Sequence, residues 1–482
     1  MLTLHFLTGS QHLYGPETLR QVAQNARRVV EGLNDSGHIP VKIEWQPTLT
    51  TPDDIYAAIR HAETEADCVG VICWMHTFSP GKMWIRGLRA LRKPLLHLHT
   101  QFYRSLPYAE LDMDYMNLHQ SAHGGREFGH ICARLGVRRK VIAGHWDNER
   151  TQRRIGAWSR VALGMAELQD LRVGRLGDNM REVAVTEGDK VAFQARLGVS
   201  VNGYGLGDLT EHIDAVRDHE IDALLDQYRV EYDVDERLVP GGAQHAHLRE
   251  AARIERGLRD FLRSENLQAF TDTFENLTGL HQLPGLAVQR LMAEGYGFGA
   301  EGDWKTAALL RCLKTMSIGQ PGGNSFMEDY TYHFGPERPA VLGAHMLEIC
   351  PSISTEKPYC TVHPLGIGGK VDPVRLVFNG APGRAINASL VDLGDRLRLL
   401  VNPVRGIAPE AALPQLPVAR VLWQPEPDLI TAAEAWIYAG GAHHTVYSQN
   451  VTVEQLRDLA HFTGIEFCLI DEDSVAADYR TC

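Results

Sequence analysis

The sequence predicts an α/β protein: two Rossmann-like α/β domains followed by a mainly β C-terminal domain. Three observations predict it. Short apolar runs alternate with helical patterns through the first part, mixed strand and helix signals continue past Leu171, and beyond Gly319 β-rich runs are punctuated by Pro and Gly. At 482 residues the chain exceeds what one hydrophobic core supports, and the texture places domains at residues 1–170, 171–320 and 321–482.

In the first domain, Leu2 to Leu7, Val41 to Trp45, Cys68 to Met75, Pro94 to His99 and Lys140 to His145 read as strands. Between them, Glu17 to Leu33, Pro52 to Glu65 and Gly124 to Leu135 have the apolar spacing of crossover helices, the signature of a parallel sheet. Ligand groups in such sheets come from loops after the carboxyl ends of strands, and the first of these is Gly9-Ser-Gln-His-Leu-Tyr-Gly15. It is not GxGxxG, so a dinucleotide site lacks support. Gly295-Tyr-Gly-Phe-Gly299 and Gly366-Ile-Gly-Gly-Lys370 also fall short of a phosphate cradle; the second has Val371 where Ser or Thr is needed. A long helix is predicted over Gln244 to Ser264. In the third domain Val341 to Cys350, Arg375 to Phe378 and Ala385 to Val401 read as strands, closed by a helix near Val453 to Phe462 and a strand near Glu466 to Ile470.

Composition removes several function classes. A net charge of −12, from 60 acidic against 48 basic residues, gives no electrostatic basis for binding nucleic acid. Eight cysteines without a CxxC pair read as reduced thiols in a cytoplasmic protein. No apolar run approaches the ~20 residues that span a bilayer, and the N-terminus has no export signal, so no membrane is expected.

Among 22 histidines, the informative ones have carboxylate company. Four segments stand out: Gly299-Ala-Glu-Gly-Asp-Trp-Lys305, Phe326-Met-Glu-Asp-Tyr330, Gly343-Ala-His-Met-Leu347 and Gly440-Gly-Ala-His-His-Thr445. Asp303 is a suitable N-cap for the run Trp304 to Met316, which puts Glu301 at a helix entrance. Glu328 is expected to share a strand face with Phe326 and Tyr330, and His345 with Leu347 and Ile349. If these groups meet, two carboxylates and two imidazoles form a mixed O/N site suited to Mn²⁺. In Asn117-Leu-His-Gln-Ser-Ala-His-Gly-Gly-Arg-Glu127, the glycines argue for a loop entering the next helix and for hydrogen-bonding roles over ligation.

Met116-Asn117, Gln120, His123 to Gly129, Gly177 to Thr186, Gly302 to Ala308, Ser325 to Tyr332 and Gly440 to Val446 together resemble the L-arabinose isomerase family, in order from Gly9 to about Ser448. The resemblance implies that Glu301, Glu328, His345 and His444 hold Mn²⁺, one ion per subunit, with His443 the alternative to His444 and the two glutamates the catalytic acid–base pair. It implies that Gln11, Leu13, Tyr14, Gln120, His123, Met180, Phe274, Ile367 and His443 line the sugar pocket. It further implies a barrel-like third domain and a homotetramer or homohexamer whose active site is shared between subunits. His119 stands where the family is expected to have Asn, and His97 where it is expected to have Gln, so neither is expected to be an essential ligand. The chain also stops at Cys482, short of the aromatic-rich tail of some members, which bears on contacts between subunits.

The implied reaction interconverts L-arabinose and L-ribulose, with D-galactose to D-tagatose as a side activity, by an enediol or a hydride shift. Another aldose isomerase, of the L-fucose type, and a sugar-binding protein with a structural metal are the alternatives. Paired Glu301 and Glu328 argue against the last, because binding alone needs no two bases.

Overall fold

The computed structural model describes residues 2–366 and 369–481. The chain divides into two compact units, Met1–Ala166 and Glu167–Cys482.

The first unit is built on β1 (Thr3–Gly9), β2 (Lys42–Trp45), β3 (Cys68–Met75), β4 (Leu95–His99) and β5 (Lys140–Ala143). All pairs are parallel, in the order β2-β1-β3-β4-β5. β1 and β3 are buried along their whole length, as expected where helices cover both faces of a sheet. The strand order reverses between β1 and β3, and the crevice outside their carboxyl ends is where open α/β sheets bind ligands. The Ser121–Arg134 helix begins earlier than the sequence suggests, so His123, Gly124 and Gly125 are helical rather than in an entering loop. Its glycines serve packing: a Cβ at Gly124 would lie 2.5 Å from the Thr77 carbonyl oxygen, and one at Gly125 would lie 2.3 Å from His99 Nδ1.

The second unit begins with β6 (Arg172–Leu176), β7 (Ser200–Tyr204), β8 (Asp233–Val234), β9 (Ala269–Asp272) and β10 (Gly297–Ala300). Four of these form a parallel sheet, β10-β9-β6-β7. Gly297 and Gly299 of the glycine run lie in β10 itself, where the next helix crosses closely. A Cβ at Gly297 would meet the Ala307 carbonyl oxygen at 2.2 Å, and one at Gly299 that of Asp303 at 2.3 Å.

The remaining strands are β11 (Asn324–His333), β12 (Ala340–Ala344), β13 (Tyr359–Val362), β14 (Val374–Val377), β15 (Gly383–Asp392), β16 (Leu397–Ile407), β17 (Arg420–Pro425), β18 (His444–Ser448) and β19 (Glu466–Leu469). The order β15-β18-β11-β12-β17-β16 closes on itself through β15–β16, giving a six-stranded antiparallel barrel with β19 added in parallel to β16. The β-rich run from Ala385 to Val401 is two strands of this barrel, reversing at 393–396, with Gly394 at φ 88°. The strand expected over Val341 to Cys350 ends at Ala344, so His345 sits in the turn beyond it and does not share a strand face with Leu347 and Ile349.

The Trp304–Met316 helix is buried nearly all round, touching β6, β9 and β10 on one side and β11, β15 and β18 on the other. Only Arg311 and Lys314 in it are partly exposed. This packing sets the helix entrance beside the first residue of β18.

Candidate active site

Glu301 follows β10 and has φ 62°; Gly302 has φ 86°. A left-handed glutamate is strained by about 1–3 kcal/mol and persists only where its surroundings hold it. The Gly177–Thr186 segment does so. Met180 N–H donates to the Glu301 carbonyl at 2.9 Å, and Asn179 Nδ2 donates to the carbonyls of Gly302 at 3.2 Å and Thr186 at 2.6 Å. From the other side Gly302 N–H donates to the Asp272 carbonyl at 3.0 Å. A Cβ at Gly302 would lie 2.5 Å from Asn179 Cα, so the turn has no room for another residue.

Asp303 caps the helix, accepting from Thr306 N–H at 3.2 Å as the sequence predicts, and it does more than cap. Its Oδ2 lies 3.2 Å from His444 Nδ1, and its Oδ1 lies 3.2 Å from Lys305 Nζ. Burial alone would raise this carboxyl, but the Lys305 charge and the bonds from His444 and Thr306 hold it well below the usual carboxylate range. An ionised acceptor at Nδ1 puts the imidazole proton there, leaving the Nε2 lone pair free. His444 is 0% exposed, and its Nε2 has no hydrogen-bond partner. It points to Glu301, whose Oε2 is 3.7 Å away.

His345 repeats the pattern. Its Nδ1 is bonded to the Glu348 carboxylate, which also accepts from Leu347 N–H at 3.1 Å, and its Nε2 lies 3.8 Å from Glu328 Oε2. Burial opposes the charged imidazole, but Glu348 outweighs it, with help from Glu328 and Glu301, and the group is pushed up to about 9. Glu328 owes its place to register: on β11 it faces His444 of β18 on one side and Ala344, the neighbour of His345, on the other. Both imidazoles pack edge-on to Phe326, at ring-centre distances of 5.2 and 5.0 Å.

The tightest grouping is Glu301, His443 and His444, with one ligand atom of each within 4.8 Å of the others. Glu328 and His345 form a second pair beside it, the His345 and His444 rings being 6.4 Å apart. Burial would raise Glu301, but the His443 hydrogen bond and the charges of His444 and His345 hold it below the usual carboxylate range. Groups bound at about 2.1 Å to one ion stand roughly 3–4 Å from each other, and the 3.7 and 3.8 Å carboxylate–imidazole separations match that spacing. The sulfur-free donor set and the orphaned His444 Nε2 therefore fit a divalent cation of the Mn²⁺ kind.

Of the expected sugar contacts in this unit, Met180 is half-buried in the segment that clamps Glu301, and Phe274 is half-buried in the short turn after β9. Ile367 lies outside the described residues. In the first unit, Gln11 and Tyr14 follow β1, and Tyr14 Oη donates to Gln120 Oε1 at 3.4 Å. His123 Nδ1 is 3.2 Å from the same Gln120 oxygen, and its ring stacks on Phe78. Leu13 is 84% exposed. These side chains collect at the switch point between β1 and β3.

Family models for the L-arabinose isomerase N-terminal, central and C-terminal domains match residues 1–170, 172–319 and 323–466. This chain belongs to the L-arabinose isomerase family. Proteins named L-arabinose isomerase from Flavobacterium johnsoniae, Herpetosiphon aurantiacus and Geobacillus stearothermophilus are 58%, 57% and 55% identical to it, each match covering 98% of this chain and 95% of the relative. Membership identifies the chain as an isomerase. Among the described residues no helix is long and apolar enough to cross a membrane.

Sequence reasoning did not find the groups behind the imidazoles. Asp303 was visible only as a cap, and Glu348 three residues after His345 passed as part of an apolar strand. Asp272 was also missed. Buried at the end of β9, it is pushed up to about 7 by burial and by the Glu348 charge, against the pull of His345.

Proposed function

We propose that this chain is a Mn²⁺-dependent L-arabinose isomerase of the cytoplasm, interconverting L-arabinose and L-ribulose, with D-galactose to D-tagatose as a side activity. The observation that carries the reading is the pairing of two carboxylates, Glu301 and Glu328, with two imidazoles whose Nε2 atoms are turned toward them by Asp303 and Glu348. Glu301, Glu328, His345 and His444 would hold the ion, with His443 beside Glu301 as the neighbouring imidazole. A bound divalent ion supplies Lewis-acid polarisation of two adjacent sugar oxygens.

The protein's own groups supply the proton transfers. One glutamate takes the C2 proton as a general base and returns it to C1, while the other carries the hydroxyl proton from O2 to O1, so that the aldehyde becomes an alcohol and C2 a ketone. The same carboxylate passes one proton out and back, which requires no co-reactant. Gln11, Tyr14, Gln120 and His123 offer the amide, phenol and imidazole groups that orient sugar hydroxyls. The seven described cysteines are buried, and reduced thiols suit the cytoplasm.

We also propose a homotetramer or homohexamer in which the first-unit rim of one copy serves the Glu301 site of another. The family resemblance supports this. Co-expression of His123→Ala and Glu301→Gln chains, each inactive alone, tests it: mixed oligomers should recover activity, and verified mixtures without activity would contradict it. The function itself is tested by stripping the protein of metal, restoring Mn²⁺ and following ketose formation from a panel of aldoses. L-Arabinose should turn over only with metal. Full turnover in the metal-free protein, or none on L-arabinose, would overturn the proposal.

A further inference from the structure

A second cluster of metal-ligating side chains lies in the first unit, at the amino-terminal edge of its sheet, across from the loop that follows β1. β1 is buried throughout, and His5 interrupts its apolar run. His5 is 0% exposed; its Nε2 stands 2.8 Å from Glu65 Oε2, and its Nδ1 has no hydrogen-bond partner. A buried imidazole that faces a buried carboxylate and leaves its second nitrogen unpaired requires an explanation, because folds satisfy such groups with protein, water or an ion. Isomerisation makes no use of it.

His5 has company. The Glu65 Oε2 that it faces is itself buried. His61 Nε2 stands 3.4 Å from the same oxygen. The His5 and His61 rings face each other at 5.2 Å, tilted by 45°. One ligand atom from each of His5, His61 and Glu65 lies within 4.8 Å of the other two.

The local fold explains the convergence. His61 and Glu65 are four apart at the end of the Pro52–Thr64 helix, so they share a face, and that helix packs on β3 beside β1. Glu44 on β2 is in register with His5 and adds negative charge to the same neighbourhood. Cys68 opens β3 there; burial, together with the Glu65 charge, raises its thiol. The nearby cation Lys93 is occupied, its Nζ donating to the carbonyls of Ala62 at 2.6 Å and Glu65 at 2.8 Å.

We propose that His5, His61 and Glu65 form a second divalent-cation site, of the Zn²⁺ class, that fastens the Pro52–Thr64 helix to β1 independently of the Glu301 site. Two imidazoles and a carboxylate, with a fourth position for water, are a donor set that Zn²⁺ takes in tetrahedral geometry. Neutral imidazole is the ligating form. A cation held only by the folded state would stabilise the fold by mass action.

Equilibrium dialysis of the full chain against Zn²⁺ tests this by counting ions. His61→Ala is the main variant, because its side chain is 59% exposed and its removal does not threaten the core. Glu65→Gln is the second. Each should bind one Zn²⁺ per chain fewer than the wild type and keep its Mn²⁺-supported isomerase activity. In a His444→Ala background, which disables the other site, Zn²⁺ should raise the melting temperature, and adding His61→Ala should abolish that rise. The same Zn²⁺ count in wild type and His61→Ala, or a rise that survives His61→Ala, would overturn the proposal. Ion counting does not depend on which sugar the enzyme turns over.

Discussion

His345 and His444 of the second unit differ from His76 and His97 of the first in what stands behind the ring. In the second unit His345 and His444 each have a carboxylate on Nδ1, from Glu348 and Asp303, and each turns Nε2 toward a glutamate. In the first unit His76 faces the Asn25 amide, and His97 has no hydrogen-bond partner at either nitrogen. Burial drives His76 and His97 down to about 3 and His119 down to about 4. Depth and residue type are alike in the two places. What differs is the acceptor behind the ring, which fixes the tautomer, orients the lone pair and strengthens the imidazole as a ligand.

The largest effect that bears on this contrast is on turnover. Glu301→Gln and Glu328→Gln should each lower kcat by at least ~10²-fold, the lower range of what a positioned acid or base contributes. Either variant near the wild-type rate would remove that residue from the chemistry. Next come the groups behind the rings: Asp303→Asn and Glu348→Gln should weaken Mn²⁺ binding by roughly 10–100-fold, the usual result of losing such a partner. In the first unit, His97→Gln and His119→Asn should leave Mn²⁺ affinity unchanged, and dialysis of all four variants side by side would show whether the division holds.

Acid sharpens the contrast further. His76 and His97 have folded-state values of about 3 against the usual 6.5, so between those pH values the unfolded chain binds protons that the folded one refuses. Their contribution to stability is complete above about 6.5 and is lost as pH falls toward 3. Denaturant titrations of the wild type and His97→Gln from pH 7 to pH 4 should show the variant losing less stability. Equal losses would mean that other groups govern acid unfolding. The smallest effect is expected at Leu13, 84% exposed, where Ala should change stability by no more than about 0.5 kcal/mol by chemical denaturation.

The alternation of apolar runs and helical spacing in the first unit was legible because buried parallel strands read as continuous apolar segments. Asp303 as a cap was legible for a local reason, since capping depends on residues three apart. The barrel was expected from the family resemblance alone, because its closure rests on pairings such as β11 with β18, far apart in sequence. The same limit hid the site's inner partners. Asp303 and His444 are 141 residues apart in sequence and meet only because the Trp304–Met316 helix packs against β18. Glycines misled at Gly124 and Gly125, which serve close packing inside a helix and do not mark a loop before it.

A structure of the Mn²⁺-loaded enzyme, with the ion located by its anomalous scattering, tests the central claim most directly. One ion should sit between Glu301 and Glu328, bound by Nε2 of His345 and Nε2 of His444, with their Nδ1 atoms still on Glu348 and Asp303. An ion held instead among His76, His97 and His119, or bound in the second unit without His345 and His444, would contradict the account.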